Sequence, residues 1–232
     1  MAAMVAQVDA WGGVDVLFNN AGIMHARDGD AVDTPEAVWD LTHAVNVKGV
    51  WFGCKHAVLA LRRHGKARAS IINTASVVAL VGSAAPQLAY TASKGAVLAL
   101  TRELAMVHAR DGFRFNSLCP APLNTPLLQD WLGDDRDKRA RREIHFPTGR
   151  FGEAVEQAHM VVFLASDEAS FVTGQEMVVD GGMTKVGLRP APCKCEADWT
   201  GVRHRRGPRD AGAKGECPAV DSGGTFVCRA VD

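Results

Sequence analysis

Short apolar runs and helically spaced apolar residues alternate along the first 185 residues of the chain. Four short runs bounded by turn-forming residues are typical of strands buried on both faces; they lie at 14–18, 70–74, 113–118 and 176–180. Between them apolar residues recur at helical spacing, which predicts helices at 2–11, 36–63, 86–109 and 153–166. Thr34 followed by Pro35 indicates the start of the second helix, with Thr34 as its cap. Strands alternating with helices predict an α/β protein with a parallel sheet.

Two stretches depart from this pattern. Residues 134–142 are a run of charges in which three aspartates are interleaved with basic residues, which favours a solvated helix face over a nucleic-acid site. Residues 186–232 contain seven glycines and four prolines with few aliphatic residues, as expected of disordered, appended sequence. We therefore predict one domain at 1–185 and a disordered tail at 186–232.

Composition narrows the class of protein. The chain has 232 residues, is 47% hydrophobic and balances 26 basic against 26 acidic residues, which gives no electrostatic case for nucleic acid or acidic membranes. No apolar run approaches the ~20 residues that span a bilayer, and the N-terminus lacks the basic region of a signal peptide. Cys54 and Cys119 are interpreted as buried thiols of a reducing compartment. These features predict a cytoplasmic protein.

The tail adds four cysteines but no recognisable metal motif. Zinc sites follow characteristic ligand spacings, and the spacing of the tail cysteines matches none of the common ones; they are Cys193, Cys195, Cys217 and Cys228. His204 stands alone beside them. We predict no metal.

Candidate chemistry is concentrated between Ser76 and Lys94. Tyr90 and Lys94 are four residues apart, so that on a helix they share one face. A tyrosine hydroxyl ionises near ~10, and a neighbouring ammonium group is expected to lower that pKa. Ser76 directly follows the end of the predicted strand 70–74, where open parallel sheets bind ligands. The three side chains together suit proton exchange with a carbonyl or alcohol oxygen.

Five segments in sequence order resemble the short-chain dehydrogenase/reductase family. They read VDVLFNNAG, HAVNVKGVWFGCKHAV, SIINTASVVALVG, NSLCPAPLNTPL and FVTGQEMVVDGG. The resemblance covers residues 1 to about 185 and implies a Rossmann-like, doubly wound parallel sheet in which strands four to seven of the family are present. It also implies an NAD(P)-dependent oxidoreductase that interconverts a secondary alcohol and a ketone.

The resemblance implies a role for each site residue. Tyr90 would be the acid/base, Lys94 would tune its pKa and hold the nicotinamide ribose, and Ser76 would orient the substrate oxygen. Asn46 would hold a water that links Lys94 to solvent, although a polar core role stays open. Cofactor contacts are expected from Tyr90 and Lys94 and from the following residues: Asn20, Ala21, Gly22, Pro120, Leu123 and Thr125. For Asn20, strand-tying and ligand roles are both open.

Two departures from the family pattern affect these expectations. No G-x-x-x-G-x-G fingerprint precedes Asp15, and Pro120 is followed by Ala121 where the family has glycine. The chain is therefore expected to be N-terminally truncated, with impaired binding of NAD or NADP, and the choice between the two nucleotides stays open. The alternative function is a catalytically inactive fragment that serves as an interaction or dimerisation module.

Oligomer and lid expectations complete the sequence analysis. The family forms dimers through the helices that correspond to 36–63 and 86–109, and helix 86–109 carries small residues suited to close packing: Ala92, Ala96, Ala99 and Ala105. With strand 14–18 at the edge of the sheet, aggregation is also expected. In the lid region four apolar residues either form a substrate wall or pack on the core: Leu127, Leu128, Trp131 and Leu132.

Overall fold

The sheet has four parallel strands in the order β1-β2-β3-β4. The structure is a computed structural model that describes residues 2–185; the predicted tail at 186–232 lies outside them, as do the side chains of Leu127 and Trp131. The strands are β1 (Val16–Asn19), β2 (Ala69–Thr74), β3 (Phe113–Pro120) and β4 (Glu176–Val179). The four predicted strands and their parallel arrangement are confirmed, with shifts of one or two residues at most ends.

Seven α-helices connect and cover the strands within residues 2–185. They are α1 (Ala2–Asp9), α2 (Glu36–His43), α3 (Gly49–Arg63), α4 (Leu88–His108), α5 (Pro126–Leu132), α6 (Arg136–Glu143) and α7 (Ala154–Ala165). Short 3-10 turns follow at Val77–Ala79, Ala109–Asp111 and Asp167–Ala169. None of the helices in this part of the chain is long and apolar enough to cross a membrane.

Helices cover both faces of the sheet, as in a doubly wound fold. The side chain of Ile71 lies in the core that β2 shares with α3 and α4, whereas Ile72 packs against Leu164 of α7 on the opposite face. Both isoleucines are fully buried, which contributes roughly 1.5–3 kcal/mol each to stability. Burial on both faces explains why β2 is apolar at consecutive positions.

The predicted helix 36–63 is interrupted by a π-helical turn at Ala44–Lys48. The buried residue of the turn is the polar Asn46, and helical spacing alone did not predict the turn. The predicted cap at Thr34 is wrong, since Pro35 occupies the cap position and no side chain caps α2. The Thr34 hydroxyl instead accepts from the backbone N–H of Gly29 at 3.0 Å and donates to the Asp28 carboxylate at 3.3 Å.

Strand β1 lies at one end of the sheet and, within residues 2–185, pairs only with β2. Its alternate side chains Val16 and Phe18 are 44% and 38% exposed. An unpaired apolar edge is a template for pairing with another chain. We therefore expect the recombinant 232-residue chain to self-associate beyond the dimer that its helices are expected to form, as measured by size-exclusion chromatography with light scattering.

Val16→Lys is expected to reduce this self-association, because a charge on an edge strand opposes pairing. Val155→Lys on α7 is the matched control, since Val155 is 57% exposed and lies away from β1; its association should equal that of the parent chain. A monodisperse dimer or tetramer with a sharp melt would contradict the prediction.

Candidate active site

The predicted site residues follow the carboxyl ends of three neighbouring strands. Asn20 directly follows β1, Ser76 is the second residue after the end of β2, and Pro120 is the last residue of β3. The strands are in register at this end, with Asn19 opposite Asn73 and Thr74 opposite Leu118. Parallel strands thus bring the loops that follow them to one edge of the sheet, which is where such sheets bind ligands.

Tyr90 and Ser76 meet at this edge. Tyr90 lies in the first turn of α4, and the Ser76 side chain lies close enough to its hydroxyl to act on the pKa of the phenol. Ser76 is buried and extended, and its hydroxyl accepts from the backbone N–H of Val78 at 3.4 Å. Burial raises the pKa of Tyr90, and the Ser76 side chain acts in the opposite direction.

Lys94 is buried one turn further along α4. Its Nζ donates to the carbonyl oxygen of Thr74 at 2.8 Å and lies 5.6 Å from the centre of the Tyr90 ring. Burial lowers the pKa of Lys94 to about 8. The lowering of the Tyr90 pKa that was expected from Lys94 is not found in this structure, because burial raises that pKa and only the Ser76 side chain opposes it.

Asn46 lies in the π-helical turn and connects the loop after β1 to α4. Its Oδ1 accepts from the backbone N–H of Ile23 at 2.8 Å, while its Nδ2 donates to the carbonyl of Ile23 at 2.9 Å and to the Ser93 hydroxyl at 3.0 Å. A π turn inside an α-helix frequently marks a functional site. These bonds support the polar core role that was left open for Asn46, and one lone pair of Oδ1 stays available for a further donor.

Gly22 brings the loop after β1 against both Asn46 and Lys94. A Cβ at Gly22 would lie 3.3 Å from Oδ1 of Asn46 and 3.3 Å from Nζ of Lys94. A side chain at this position would therefore push into the space beside the lysine. Asn20 is exposed, and its Oδ1 accepts from the Thr74 hydroxyl at 2.9 Å, so that it ties β1 to β2 as one of its two expected roles requires.

The loop after β3 is held at its far end. Leu123 forms an isolated β-bridge with Gly152, and Thr125 caps α5, accepting from the N–H of Leu128 at 3.3 Å. Both cofactor-contact candidates therefore lie in an ordered connection between β3 and α5. Ala121, which stands where the family has glycine, is buried and has negative φ, so this departure causes no backbone strain.

Two of the four apolar residues of the predicted lid region pack on the core. Leu132 is buried and Leu128 is partly buried in a cluster with Val77, Phe146 and Phe151, which favours core packing over a substrate wall for these two leucines. Helix α6 contains no buried residue, so that the predicted solvated charge run is confirmed.

Cys54 and Cys119 are free and buried, as expected, and burial raises the pKa of each thiol to about 12.

Two residues of the site were not identified from the sequence. Ser93 is fully buried, accepts from Asn46 and donates to the carbonyl of Tyr90 at 2.7 Å; its position three residues after Tyr90 was the available signal. Asp28 accepts from the backbone N–H of Tyr90 at 2.8 Å. No local pattern indicates this contact, because the two residues are 62 positions apart.

Comparison with known proteins gives the family. A family model described as enoyl-(acyl carrier protein) reductase matches residues 1–184. The chain belongs to the short-chain dehydrogenase/reductase family. A protein of Burkholderia xenovorans described as a short-chain dehydrogenase/reductase has a crystal structure that superposes with a TM-score of 0.74 at 32% identity, covering 79% of this chain and 70% of that one. Ligand-free aldohexose dehydrogenase of Thermoplasma acidophilum gives the same TM-score and identity, covering 82% of this chain and 76% of that one.

Similar sequences in this family include several dehydrogenases. The chain is 41% identical to 2-(S)-hydroxypropyl-CoM dehydrogenase 3 of Xanthobacter autotrophicus over 80% of its own length and 72% of the relative's. It is 41% identical to 3-alpha-(or 20-beta)-hydroxysteroid dehydrogenase of Mycobacterium tuberculosis over 81% of its own length and 66% of the relative's. Meso-2,3-butanediol dehydrogenase of Serratia marcescens is 41% identical over 75% of this chain, which spans 65% of that protein. The chain thus spans about two thirds to three quarters of these relatives.

Proposed function

We propose that this chain is an NAD(P)-dependent oxidoreductase that interconverts a secondary alcohol and a ketone. The observation that carries the proposal is that Tyr90 and Ser76 lie together at the carboxyl end of a parallel sheet, beside a buried lysine. The relatives named above are dehydrogenases of hydroxyl-bearing compounds, which supports the reaction class.

Two hydroxyl groups would handle the substrate oxygen. In this proposal Tyr90 exchanges a proton with that oxygen, and Ser76 holds the same oxygen by a hydrogen bond. Proton exchange by a positioned side chain contributes typically 10²–10⁴-fold to a rate. Because burial keeps the Tyr90 phenol protonated, the cofactor-free site is suited to donating a proton to a carbonyl oxygen.

The residues around Lys94 fit the nicotinamide half of the cofactor. When bound, the nicotinamide would supply or accept the hydride. Lys94 would hold the ribose, the backbone at Gly22 would approach it closely, and Asn46 would hold a water through its remaining lone pair on Oδ1. The remaining cofactor contacts are proposed for Asn20, Ala21, Pro120, Leu123 and Thr125, and we assign no residue to the pyrophosphate.

Nucleotide binding tests the proposal directly. NADH or NADPH is titrated into the protein while energy transfer from its five tryptophans to the nicotinamide is measured. Saturable binding at micromolar concentrations, followed by turnover of meso-2,3-butanediol or a related alcohol, is the expected result. Absence of binding up to millimolar nucleotide would overturn it.

The alternative function is an inactive interaction module. One relative that is 39% identical over 80% of this chain carries the name inactive 2-(S)-hydroxypropyl-CoM dehydrogenase 2, so that inactivity occurs among close relatives. The edge of β1 that is unpaired within residues 2–185 also supports association with another chain. The nucleotide titration separates the two functions, because the module requires no nucleotide.

We also propose that the chain forms a homo-oligomer through α2, α3 and α4. Trp39 of α2 is 37% exposed, and Trp51 of α3 is 45% exposed. Trp51 of α3 and Leu100 of α4 line an open, mainly apolar groove of about 450 Å³, and the other lining residues belong to α2 and the π turn. A second copy of this chain is the proposed occupant, since the resemblance predicts dimer formation through these helices.

A further inference from the structure

The helix that carries Tyr90 and Lys94 begins without a cap of its own. Gln87 occupies the cap position of α4, and its side chain makes no capping hydrogen bond. The first N–H groups of a helix have no partner within the helix, and the residues just before α4 offer little support because Val81–Pro86 are all exposed. The partners of these N–H groups come from a loop some 60 residues upstream.

Three consecutive N–H groups of α4 are bound by Asp28 and Gly29. The N–H of Leu88 donates to the carbonyl of Gly29 at 2.9 Å. The N–H of Ala89 donates to Oδ1 of Asp28 at 3.0 Å, and that of Tyr90 to Oδ2 at 2.8 Å. The Asp28 carboxylate thus binds the backbone N–H of the catalytic candidate Tyr90. The negative charge of this carboxylate is favourable at a helix N-terminus.

The loop that carries Asp28 is held at both ends. At its start, Ile23 makes two hydrogen bonds to the buried Asn46. Beyond Asp28, the Thr34 hydroxyl accepts from Gly29 and donates to Asp28. The carboxylate therefore has a defined position relative to the Asn46 side chain, which also bonds Ser93 of α4.

We propose that Asp28 is a positioning residue that fixes the first turn of α4, and with it the Tyr90 hydroxyl against Ser76. This inference rests on the proposed function of Tyr90. End turns of helices fray readily, and a misplacement of about 1 Å at a reacting group can lower a rate by about 10². Asp28 does not touch the substrate in this proposal, since it acts through the backbone of Tyr90.

Fluorine NMR of fluorotyrosine-labelled protein tests the proposal without a substrate. Tyr90 is the only tyrosine in the chain, so the labelled protein gives a single signal from the site. In Asp28→Ala we expect the signal of the folded protein to move toward that of the unfolded protein. Its titration midpoint should fall toward the value of an exposed phenol, because burial is what raises the pKa of Tyr90.

Asp30→Ala is the matched control. It removes the same charge and two backbone hydrogen bonds in the same loop, to the N–H groups of Val32 and Asp33, but none to α4. Its fluorine signal should equal that of the parent protein. Asp28→Asn keeps one acceptor oxygen and should lie between the parent and Asp28→Ala; it also serves if the alanine variant does not fold.

Kinetics give the second readout. With meso-2,3-butanediol and NAD⁺, Asp28→Ala should lower kcat by about tenfold or more with little change in KM, whereas Asp30→Ala should leave both unchanged. An unchanged fluorine signal and kcat in folded Asp28→Ala, with only a lower melting temperature, would overturn the positioning role. If the parent protein neither binds nucleotide nor turns over, the proposed function fails, and the fluorine signal alone decides whether Asp28 positions Tyr90.

Discussion

Replacing Tyr90 by phenylalanine is expected to lower dehydrogenase activity by a factor of about 10² or more while the fold stays intact. The substitution removes the hydroxyl that lies beside Ser76 and keeps the ring that packs beside Lys94. Steady-state turnover of an alcohol with NAD⁺ or NADP⁺ measures the loss. Circular dichroism and the thermal melt should match those of the parent protein.

Ser93→Ala serves as a control for damage to α4. It removes a buried hydroxyl that bonds the carbonyl of Tyr90 and Nδ2 of Asn46, yet it leaves the phenol in place. Its activity should exceed that of Tyr90→Phe at comparable stability. A Tyr90→Phe variant that keeps more than about a tenth of the parent rate would contradict the acid/base role, since such catalysis is worth ~10²-fold or more.

The parallel sheet could be predicted because its strands are buried on both faces. Residues such as Ile71 and Ile72 point to opposite helical layers, and this produces consecutive apolar positions that are visible in the sequence. The positions of Ser76 and Pro120 follow from the same logic, since each comes at the carboxyl end of a strand. The order of the strands cannot be predicted from the apolar pattern.

Several features of the site could not be predicted, because they depend on contacts between distant residues. The capping of α4 by Asp28 joins positions about 60 residues apart. The π turn around Asn46 has no local sequence signal, and its buried residue is polar. The direction of the pKa shift of Tyr90 depends on how deeply the phenol is buried, and helical spacing to Lys94 carries no information about burial.

Lys94 gives the second large prediction, a stability difference that depends on pH. Burial lowers the pKa of Lys94 from 10.5 to about 8 in the folded chain. Between these two values the unfolded chain binds about one more proton than the folded chain, so the free energy of unfolding rises with pH through this group. Lys94→Met keeps the apolar stem and removes the ionisable group.

We therefore expect the parent protein to gain about 1.4 kcal/mol in unfolding free energy per pH unit above about pH 8, relative to Lys94→Met. Below about pH 8 the difference should be constant, because Lys94 is protonated in both states. Urea unfolding across this range measures it. Lys94→Met should also bind NADH more weakly, as the proposed ribose contact requires.

Lys55→Met is the control for this pH series. Lys55 is exposed on α3 with its Nζ 5.7 Å from the Trp51 ring, so its removal deletes an amine that folding does not bury and should not reproduce the slope expected for Lys94→Met. A flat difference for Lys94→Met over the same range would show that the buried amine stays charged. Its bond to the Thr74 carbonyl would then be charge-assisted, and the positive charge beside Tyr90 would persist at every pH at which the enzyme is assayed.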